Sequence, residues 1–266
     1  MRSALALLRA AWLGAISYRV ATLLSFVAVL ASIVPVFFIA GAVQDLAADS
    51  IRLESASYFG FVVVGMAGMY LASAAVGALP GAIAGGIGSG TFESLLGTRA
   101  SLPSLLVGFA AYPVLQALLR SLVLLAGAAL LGVSLAWPML LPVLGIVLLL
   151  IAAYAGIGLV ASALLLLFRT SGPIVPAAVA LSGLLGGAYY ATSVVPGWLQ
   201  SLTGFVPLGY ALRASRMLLL GDAAVADVAA DVMTLSLFAV TSLAIGALCF
   251  GLALRQSRRS GSLSQY

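Results

Sequence analysis

Histidine and lysine are both absent from this 266-residue chain, and acidic residues are rare. Without histidine, the chain lacks the commonest general base and the commonest metal ligand of proteins. Without lysine, it contains no phosphate-binding loop of the GxxxxGK(S/T) type, so it does not bind and hydrolyse ATP in that way. The single cysteine, Cys249, lies in an apolar run, which excludes an internal disulfide and favours a packing role.

Charged residues make up only 7% of the chain, whereas hydrophobic residues make up 64% and the mean hydropathy is +1.24. Soluble domains carry about 25% charged residues and about 45–50% apolar ones. These values exclude a water-soluble domain and a disordered chain. They predict an all-α polytopic membrane protein, with a length that suffices for roughly six helices of about 20–25 residues.

Apolar runs predict six membrane spans in a single transmembrane domain. The predicted spans cover residues 20–43, 58–84, 105–134, 138–168, 172–192 and 231–254. The third and fourth are longer than a bilayer requires, so we expect them to tilt, kink or protrude, with Pro113 as a kink site. Residues 1–19 contain three arginines and no acid, which predicts a basic interfacial helix, and residues 255–266 form a tail.

The arginines predict that both termini are cytoplasmic, because positive charge accumulates on the inner side of a membrane. The predicted inner segments contain Arg2, Arg9, Arg19, Arg99, Arg169, Arg255, Arg258 and Arg259. The predicted outer segments contain only Arg52, Arg213 and Arg216, and most of the acids.

Two connections are longer than a hairpin needs, an inner one at residues 85–104 and an outer one at 193–230. In the outer connection, apolar residues from Trp198 to Val206 recur on one helical face. Pro196, Gly204 and Pro207 interrupt this pattern, which favours a re-entrant or interfacial helical hairpin before the last span.

The outer connection resembles a signature near the last span of type-2 ATP-binding-cassette (ABC) exporter permeases. The matching residues are Pro196, Gly197, Trp198, Leu199, Pro207, Tyr210, Arg216 and Gly221. The inner connection resembles the Gly-Thr-x-Glu-x-Leu-Leu element that follows the second span in that family. The matching residues are Gly90, Thr91, Glu93, Leu95 and Leu96. Arg99 replaces a proline of the family, and Gly86, Gly88 and Ser89 stand where charged residues are usual.

The resemblance implies a permease of a bacterial-type cytoplasmic membrane that pairs with a second copy of itself or with a homologue, and with two cytosolic ATPase subunits. ATP and Mg belong to those subunits, so the resemblance implies no cofactor and no catalytic residue in this chain. It implies a short inner coupling helix that docks in a cleft of the ATPase, and an outer hairpin that shapes the exit of the export path. Nucleic acid is not an expected partner.

The predicted ATPase-contact residues are Gly90, Thr91, Phe92, Glu93, Leu95, Leu96 and Arg99. The alternative for this segment is a solvated loop that ends the second span. The predicted residues of the translocation path or outer gate are Arg120, Tyr189, Tyr190, Trp198, Tyr210, Arg213 and Arg216.

Each of these path residues also has a structural interpretation. Arg120 either lines the path or snorkels towards the outer surface, or else bonds to interhelical carbonyls. Arg213 and Arg216 either attract anionic substrates or pair with Asp222, Asp227 or Asp231. The aromatic residues either form a gate or anchor the chain at the outer interface.

Small residues in two spans predict close helix approach, within the bundle or at a dimer seam. One ridge is Gly77, Gly81 and Gly85, and the other is Gly183 and Gly187.

The sequence favours export of a lipid-like or amphipathic small molecule, such as a natural product or drug. A polysaccharide or lipid-linked glycan is the alternative cargo. An ion-coupled carrier is the alternative of another class, but such carriers place carboxylates inside their spans, and here only Asp231 reaches the edge of one. The missing histidine and metal-ligand clusters argue against an intramembrane enzyme.

Overall fold

The computed structural model describes residues 2–91, 97, 101–168, 173–221 and 223–259. These residues form nine α-helices and no strand, which confirms the all-α prediction. The helices are α1 (Arg2–Ser17), α2 (Arg19–Ile51), α3 (Tyr58–Gly88), α4 (Leu102–Leu130), α5 (Leu140–Phe168), α6 (Ile174–Leu185), α7 (Gly197–Thr203), α8 (Pro207–Leu220) and α9 (Ala229–Arg259).

Five helices are long and apolar enough to cross a membrane: α2, α3, α4, α5 with the short 3-10 turn before it, and α9. Four of them match predicted spans to within a few residues. The first span is longer than predicted, because α2 continues past residue 43 to Ile51 and runs through Pro35. The last is longer too, since α9 includes residues 255–259 of the predicted tail.

The predicted fifth span is wrong as a continuous helix over 172–192. Only α6 forms there, and its 12 residues reach about 18 Å, well short of a hydrocarbon core of about 30 Å. The helix ends at a glycine pair, and Gly187 adopts the left-handed conformation with φ of +66°. The apolar composition continues beyond the pair, which is why composition alone overestimates the helix.

α3 lies at the centre of the bundle and contacts α2, α4, α5, α6 and α8. Of its most apolar window 72% is buried, compared with 17% for α2. The start of α3 is fixed by capping, since the Ser57 hydroxyl accepts the Gly60 N–H. Gln44 of α2 accepts the Tyr58 N–H at 2.8 Å and donates to the Ala56 carbonyl at 3.0 Å, which ties the two helices together at their shared end.

α5 and α9 form the most extensive helix pair of the described chain, and glycine makes it possible. A Cβ on Gly156 would lie 2.3 Å from the Ser242 carbonyl carbon, and a Cβ on Gly246 would lie 2.4 Å from the Gly156 carbonyl oxygen. On the opposite side of α5, a Cβ on Gly158 would lie 2.7 Å from the Val76 carbonyl oxygen of α3. These close approaches are typical of packed membrane helices.

The predicted glycine ridge in α3 does not bring another helix into close contact within the described chain. A Cβ on Gly81 or Gly85 would meet no described atom within 4 Å, and one on Gly77 would make only an ordinary contact. Gly183 does pack closely, because a Cβ added at this position would lie 2.9 Å from the methyl of Met69. The prediction of intrachain packing is therefore wrong for Gly81 and Gly85, while a dimer seam there stays a prediction.

Candidate functional site

Arg216 of α8 is the centre of a buried polar cluster next to the start of α3. Its side chain is only 2% exposed. One nitrogen, Nη1, lies 3.0 Å from Glu54 Oε2, and Nε donates to the Phe61 carbonyl at 3.1 Å. The third guanidinium nitrogen, Nη2, donates to the carbonyls of Gly187 and Ala188 at 3.1 and 3.0 Å. A single guanidinium thus joins α8, α3, the connection after α2 and the turn after α6.

The neighbouring backbone leaves just enough room for this cluster. A Cβ on Gly65 would lie 1.8 Å from the Ala188 oxygen and 2.9 Å from Nη2 of Arg216, so α3 requires glycine at this point. The Phe61 ring lies beneath the cation, with its centroid 3.4 Å from the guanidinium carbon. The planar, multi-donor guanidinium suits this arrangement, because it bonds several acceptors and stacks on a ring together.

Burial lowers the pKa of Arg216 to about 10, while the Glu54 carboxylate acts in the opposite direction. The side chain is therefore still protonated at neutral pH. A buried cation of this kind is strongly destabilising when it loses a partner, although the intact pair itself contributes little net stability. The cluster consequently fixes which groups meet, more than it strengthens the fold.

Arg213, one helical turn earlier on α8, joins a second ion pair. Its Nε lies 2.8 Å from Asp231 Oδ2, and a second nitrogen bonds the other carboxylate oxygen. Asp231, in the first turn of α9, is buried, whereas Arg213 is half exposed. The hydrogen bond to Asp231 raises the pKa of Arg213. This pair holds α8 against the start of the last span.

The pairing predicted for Arg213 is confirmed with one of its three candidate acids. Arg216 is different, since its carboxylate partner is Glu54 from the connection between α2 and α3. Asp227 instead accepts the Ala224 N–H within its own turn at 2.8 Å, and Asp222 lies outside the described residues.

A small polar cavity of about 80 Å³ lies beside these two arginines. Glu54, Tyr210, Arg213 and Arg216 line it, together with the turn at Gly187. The Tyr210 hydroxyl donates to the Gly204 carbonyl at 3.2 Å, and its ring centroid lies 5.7 Å from the Arg213 guanidinium carbon. Three of the seven predicted path residues therefore lie around one cavity.

The other predicted path residues lie apart from this cavity. Tyr189 and Tyr190 are in the turn after α6, where the Tyr189 carbonyl accepts the Tyr58 hydroxyl at 2.9 Å and the Tyr190 hydroxyl donates to the Leu184 carbonyl. Trp198 is 70% exposed, as is typical of an aromatic anchor at a membrane interface.

Arg120 lies in α4 and does not line the cavity around Arg216. Its Nε is buried and has no hydrogen-bond partner among the described residues. The next residue, Ser121, donates to the Ala67 carbonyl at 3.1 Å and so holds α4 against α3. Whether Arg120 lines a path is not decided by these contacts and stays a prediction.

Only the beginning of the predicted ATPase-contact segment belongs to the described residues. Gly90 is exposed and adopts φ of +67°, and its N–H donates to the Ile87 carbonyl at 3.0 Å as α3 ends. Thr91 follows, with its hydroxyl 2.8 Å from that of Ser89. Phe92, Glu93, Leu95, Leu96 and Arg99 lie outside the described residues. A left-handed glycine is a common way to end a helix and redirect the chain.

Several of the described polar side chains join helices to one another. No group of three potential metal ligands occurs in the described part of the chain. The polar side chains of the cluster around Arg216 instead bond one another and the backbone where α3, α6 and α8 meet.

Comparison with known families agrees with this architecture. The sequence model of the ABC-2 type transporter family matches residues 3–220, from α1 to the end of α8. The chain belongs to the ABC-2 type transporter family. It is therefore a transmembrane permease subunit of an ABC transporter, and the resemblance inferred from the two connections is confirmed at the level of the family. No curated protein matches the chain.

Sequence reasoning missed two residues of this ABC-2 permease site, Glu54 and Gly65. A signal for Glu54 was present, because Arg216 lies among apolar residues of α8, and a buried cation requires an acid from elsewhere in the fold. Gly65 gave no local signal. It is one of many glycines in an apolar helix, and only the position of Ala188 shows why it is needed.

Proposed function

We propose that this ABC-2 permease subunit exports a lipid-like or amphipathic small molecule, in partnership with a second permease copy or homologue and two cytosolic ATPase subunits. The observation that carries the proposal is the family match over residues 3–220, which includes both the N-terminal helix and the outer helices around Arg216. ATP and Mg bind to the ATPase partners, and this chain supplies the path.

We propose a topology with six crossings and both termini in the cytoplasm. Five crossings are the long apolar helices, and the additional one, fifth along the chain, is α6 together with the irregular segment after it. In that segment Ala188 is fully buried and Ala191 is 5% exposed. Irregular backbone is tolerated at membrane depth where protein surrounds it. α7 and α8 then form the outer hairpin, and an even number of crossings places both termini on one side.

α3 is suited to carry movement from the ATPase to the outer side. Its 31 residues span about 46 Å, with the predicted docking segment at one end. At the other end lie Phe61 and Gly65, which contact the Arg216 cluster. A shift of α3 driven by the ATPase would therefore reach α8 and the turn after α6 directly. We propose that this connection opens and closes the exit.

The charges at the exit support a gate more than a substrate-binding site. Arg213 and Arg216 are each engaged by a carboxylate. Their cavity of about 80 Å³ is far smaller than the roughly 300–1,000 Å³ of typical ligand pockets. An amphipathic cargo fits the apolar character of the spans, and a polysaccharide or lipid-linked glycan is the alternative.

The decisive experiment is co-expression with an ATPase encoded beside this chain, purification in lipid and an ATPase assay. We expect a stable complex of two permease and two ATPase chains. Glu93→Arg should uncouple hydrolysis from export and leave membrane insertion intact. Asp45→Arg, the same charge reversal at an exposed position on α2, is the matched control and should leave coupling unchanged.

Two outcomes would contradict this proposal. If the Glu93→Arg chain still coupled hydrolysis to export, the segment around Glu93 would not be the docking site for the ATPase. The absence of any nucleotide-dependent activity would favour an ion-coupled carrier, and Arg120 and Asp231 would then be the first residues to test.

A further inference from the structure

A cavity of about 380 Å³ lies between α1, the start of α2 and the middle of α4. Its volume falls within the roughly 300–1,000 Å³ typical of small-ligand sites. It shares no lining residue with the polar cavity around Arg216. Its walls include Trp12, Ile16, Arg19, Leu23, Tyr112 and Leu119.

The cavity is open to the surroundings and almost entirely apolar. Trp12 is 46% exposed, Ile16 41% and Leu23 65%. In a chain that crosses a membrane, exposed apolar side chains of this kind face acyl chains, since open apolar patches are avoided in water.

One formal charge marks the cavity, and it is positive. Arg19 is exposed, and its Nε donates to the Ile16 carbonyl at 3.3 Å, which holds the base of the side chain at the cavity. None of the described lining residues is acidic. Arg19 is also the first residue of the 33-residue helix α2.

We propose that this cavity binds one acyl chain of an anionic phospholipid, whose phosphate contacts Arg19. The apolar walls match the chain, and the guanidinium matches the phosphate. With the N-terminus in the cytoplasm, as proposed above, the site lies in the cytoplasmic leaflet, where anionic lipids are concentrated. The inference uses that orientation alone and is independent of the cargo and of ATP-driven transport.

Trp12 provides a direct readout, because it lines the cavity. The test uses the full chain carrying Trp137→Phe and Trp198→Phe, which leaves Trp12 as the only fluorophore of its kind. The chain is reconstituted in phosphatidylcholine vesicles that contain a minority of brominated-acyl phosphatidylglycerol or, separately, brominated-acyl phosphatidylcholine. Bromine quenches tryptophan fluorescence on contact. We expect Trp12 to be in contact with phosphatidylglycerol about fivefold more often than with phosphatidylcholine at equal amounts, which is the preference that one arginine near an anionic membrane surface supplies.

Charge variants separate a defined site from general surface attraction. Arg19→Ala should abolish the preference, and Arg19→Lys should keep most of it. Arg9→Ala is the matched control, because Arg9 is an exposed arginine of α1 that does not line the cavity. Equal quenching by the two lipids in the parent chain would overturn the proposal. Equal loss in Arg9→Ala and Arg19→Ala would also overturn it, in favour of diffuse attraction.

A shape variant tests the acyl-chain half of the proposal. Leu119→Phe should reduce quenching by filling the cavity, whereas Leu122→Phe, at another exposed leucine of α4, should not. Absence of quenching by either lipid would show that a second copy of the chain or another segment occupies the cavity, and would overturn the proposal as well.

Discussion

Arg216 and Glu54 are 162 positions apart in the chain, yet Nη1 of the guanidinium lies 3.0 Å from the carboxylate. The contact joins α8 to the connection between α2 and α3. Because the same guanidinium also bonds three backbone carbonyls, α8 cannot move independently of α3 or of the turn after α6. This coupling is the physical basis for the proposal that the cluster forms an outer gate.

Replacing the buried arginine should be costly. Arg216→Ala leaves the Glu54 carboxylate, which is 16% exposed, and three backbone carbonyls without their donor, so we expect a loss of about 3 kcal/mol in the free energy of unfolding. Arg52→Ala is the control, because Arg52 is exposed and belongs to neither ion pair of the described residues, and we expect a change of about 0.5 kcal/mol or less. Denaturant unfolding in detergent would measure both, and an Arg216→Ala chain as stable as the Arg52→Ala chain would contradict the role given to the cluster.

Gly65→Ala adds one methyl to α3 and should disturb the cluster around Arg216. The new Cβ would clash with the Ala188 oxygen, and overpacking of this kind costs about 1–3 kcal/mol. Gly81→Ala, on the same helix, adds its methyl where no described atom lies within 4 Å, so it should be neutral or slightly stabilising. The thermal midpoints of the two variants should differ clearly, and equal midpoints would refute the close approach.

The seam between α5 and α9 should depend on Gly156. Gly156→Ala places a Cβ 2.3 Å from the Ser242 backbone and should separate the two helices, at a cost of about 1–3 kcal/mol. Gly145→Ala lies earlier in α5, with no described atom within 4 Å of its Cβ, and should have little effect. Cross-linking between cysteines introduced in α5 and α9 would report the distance between the two helices. Unchanged cross-linking in the Gly156→Ala chain would show that the helices had not separated.

Gly90 should control how the docking segment leaves α3. A side chain in the left-handed conformation costs about 1–2 kcal/mol, so Gly90→Ala should shift the turn and weaken co-purification with the ATPase. Gly88→Ala, two positions earlier in the helix and with open space around its Cβ, should leave the complex intact. Full retention of the ATPase by the Gly90→Ala chain would argue against docking at this turn.

Most of the fold was predictable because its spans are long and apolar. Runs near residues 58–84 and 138–168 have no other stable state in a membrane than a helix. The exception is the fifth span, where Gly186 and Gly187 end α6 early although the apolar composition continues. Local composition reports how apolar a segment is, but not whether its backbone stays helical when other protein segments surround it.

The site was less predictable, because its partners come from distant parts of the chain. Arg213 and Asp231 are close in sequence, and that pair was among the predicted ones. Arg216 instead bonds carbonyls and an acid from the connection between α2 and α3, and carbonyls carry no sequence signal at all. The prediction of intrachain packing at Gly81 and Gly85 failed for a related reason. Spacing shows which face of a helix is small, but not which helix lies against it.

The long separation between Glu54 and Arg216 also sets an order of events during synthesis. Ribosomes add about 5–20 residues per second, so roughly 10–30 s pass between the emergence of the acid and that of its cation. During that interval the connection between α2 and α3 and the start of α3 exist without the donor that later joins them. A chain truncated before α8 lacks both the cation of Glu54 and the donor to the Phe61 carbonyl, so this part of the fold can be completed only after α8 has been synthesised.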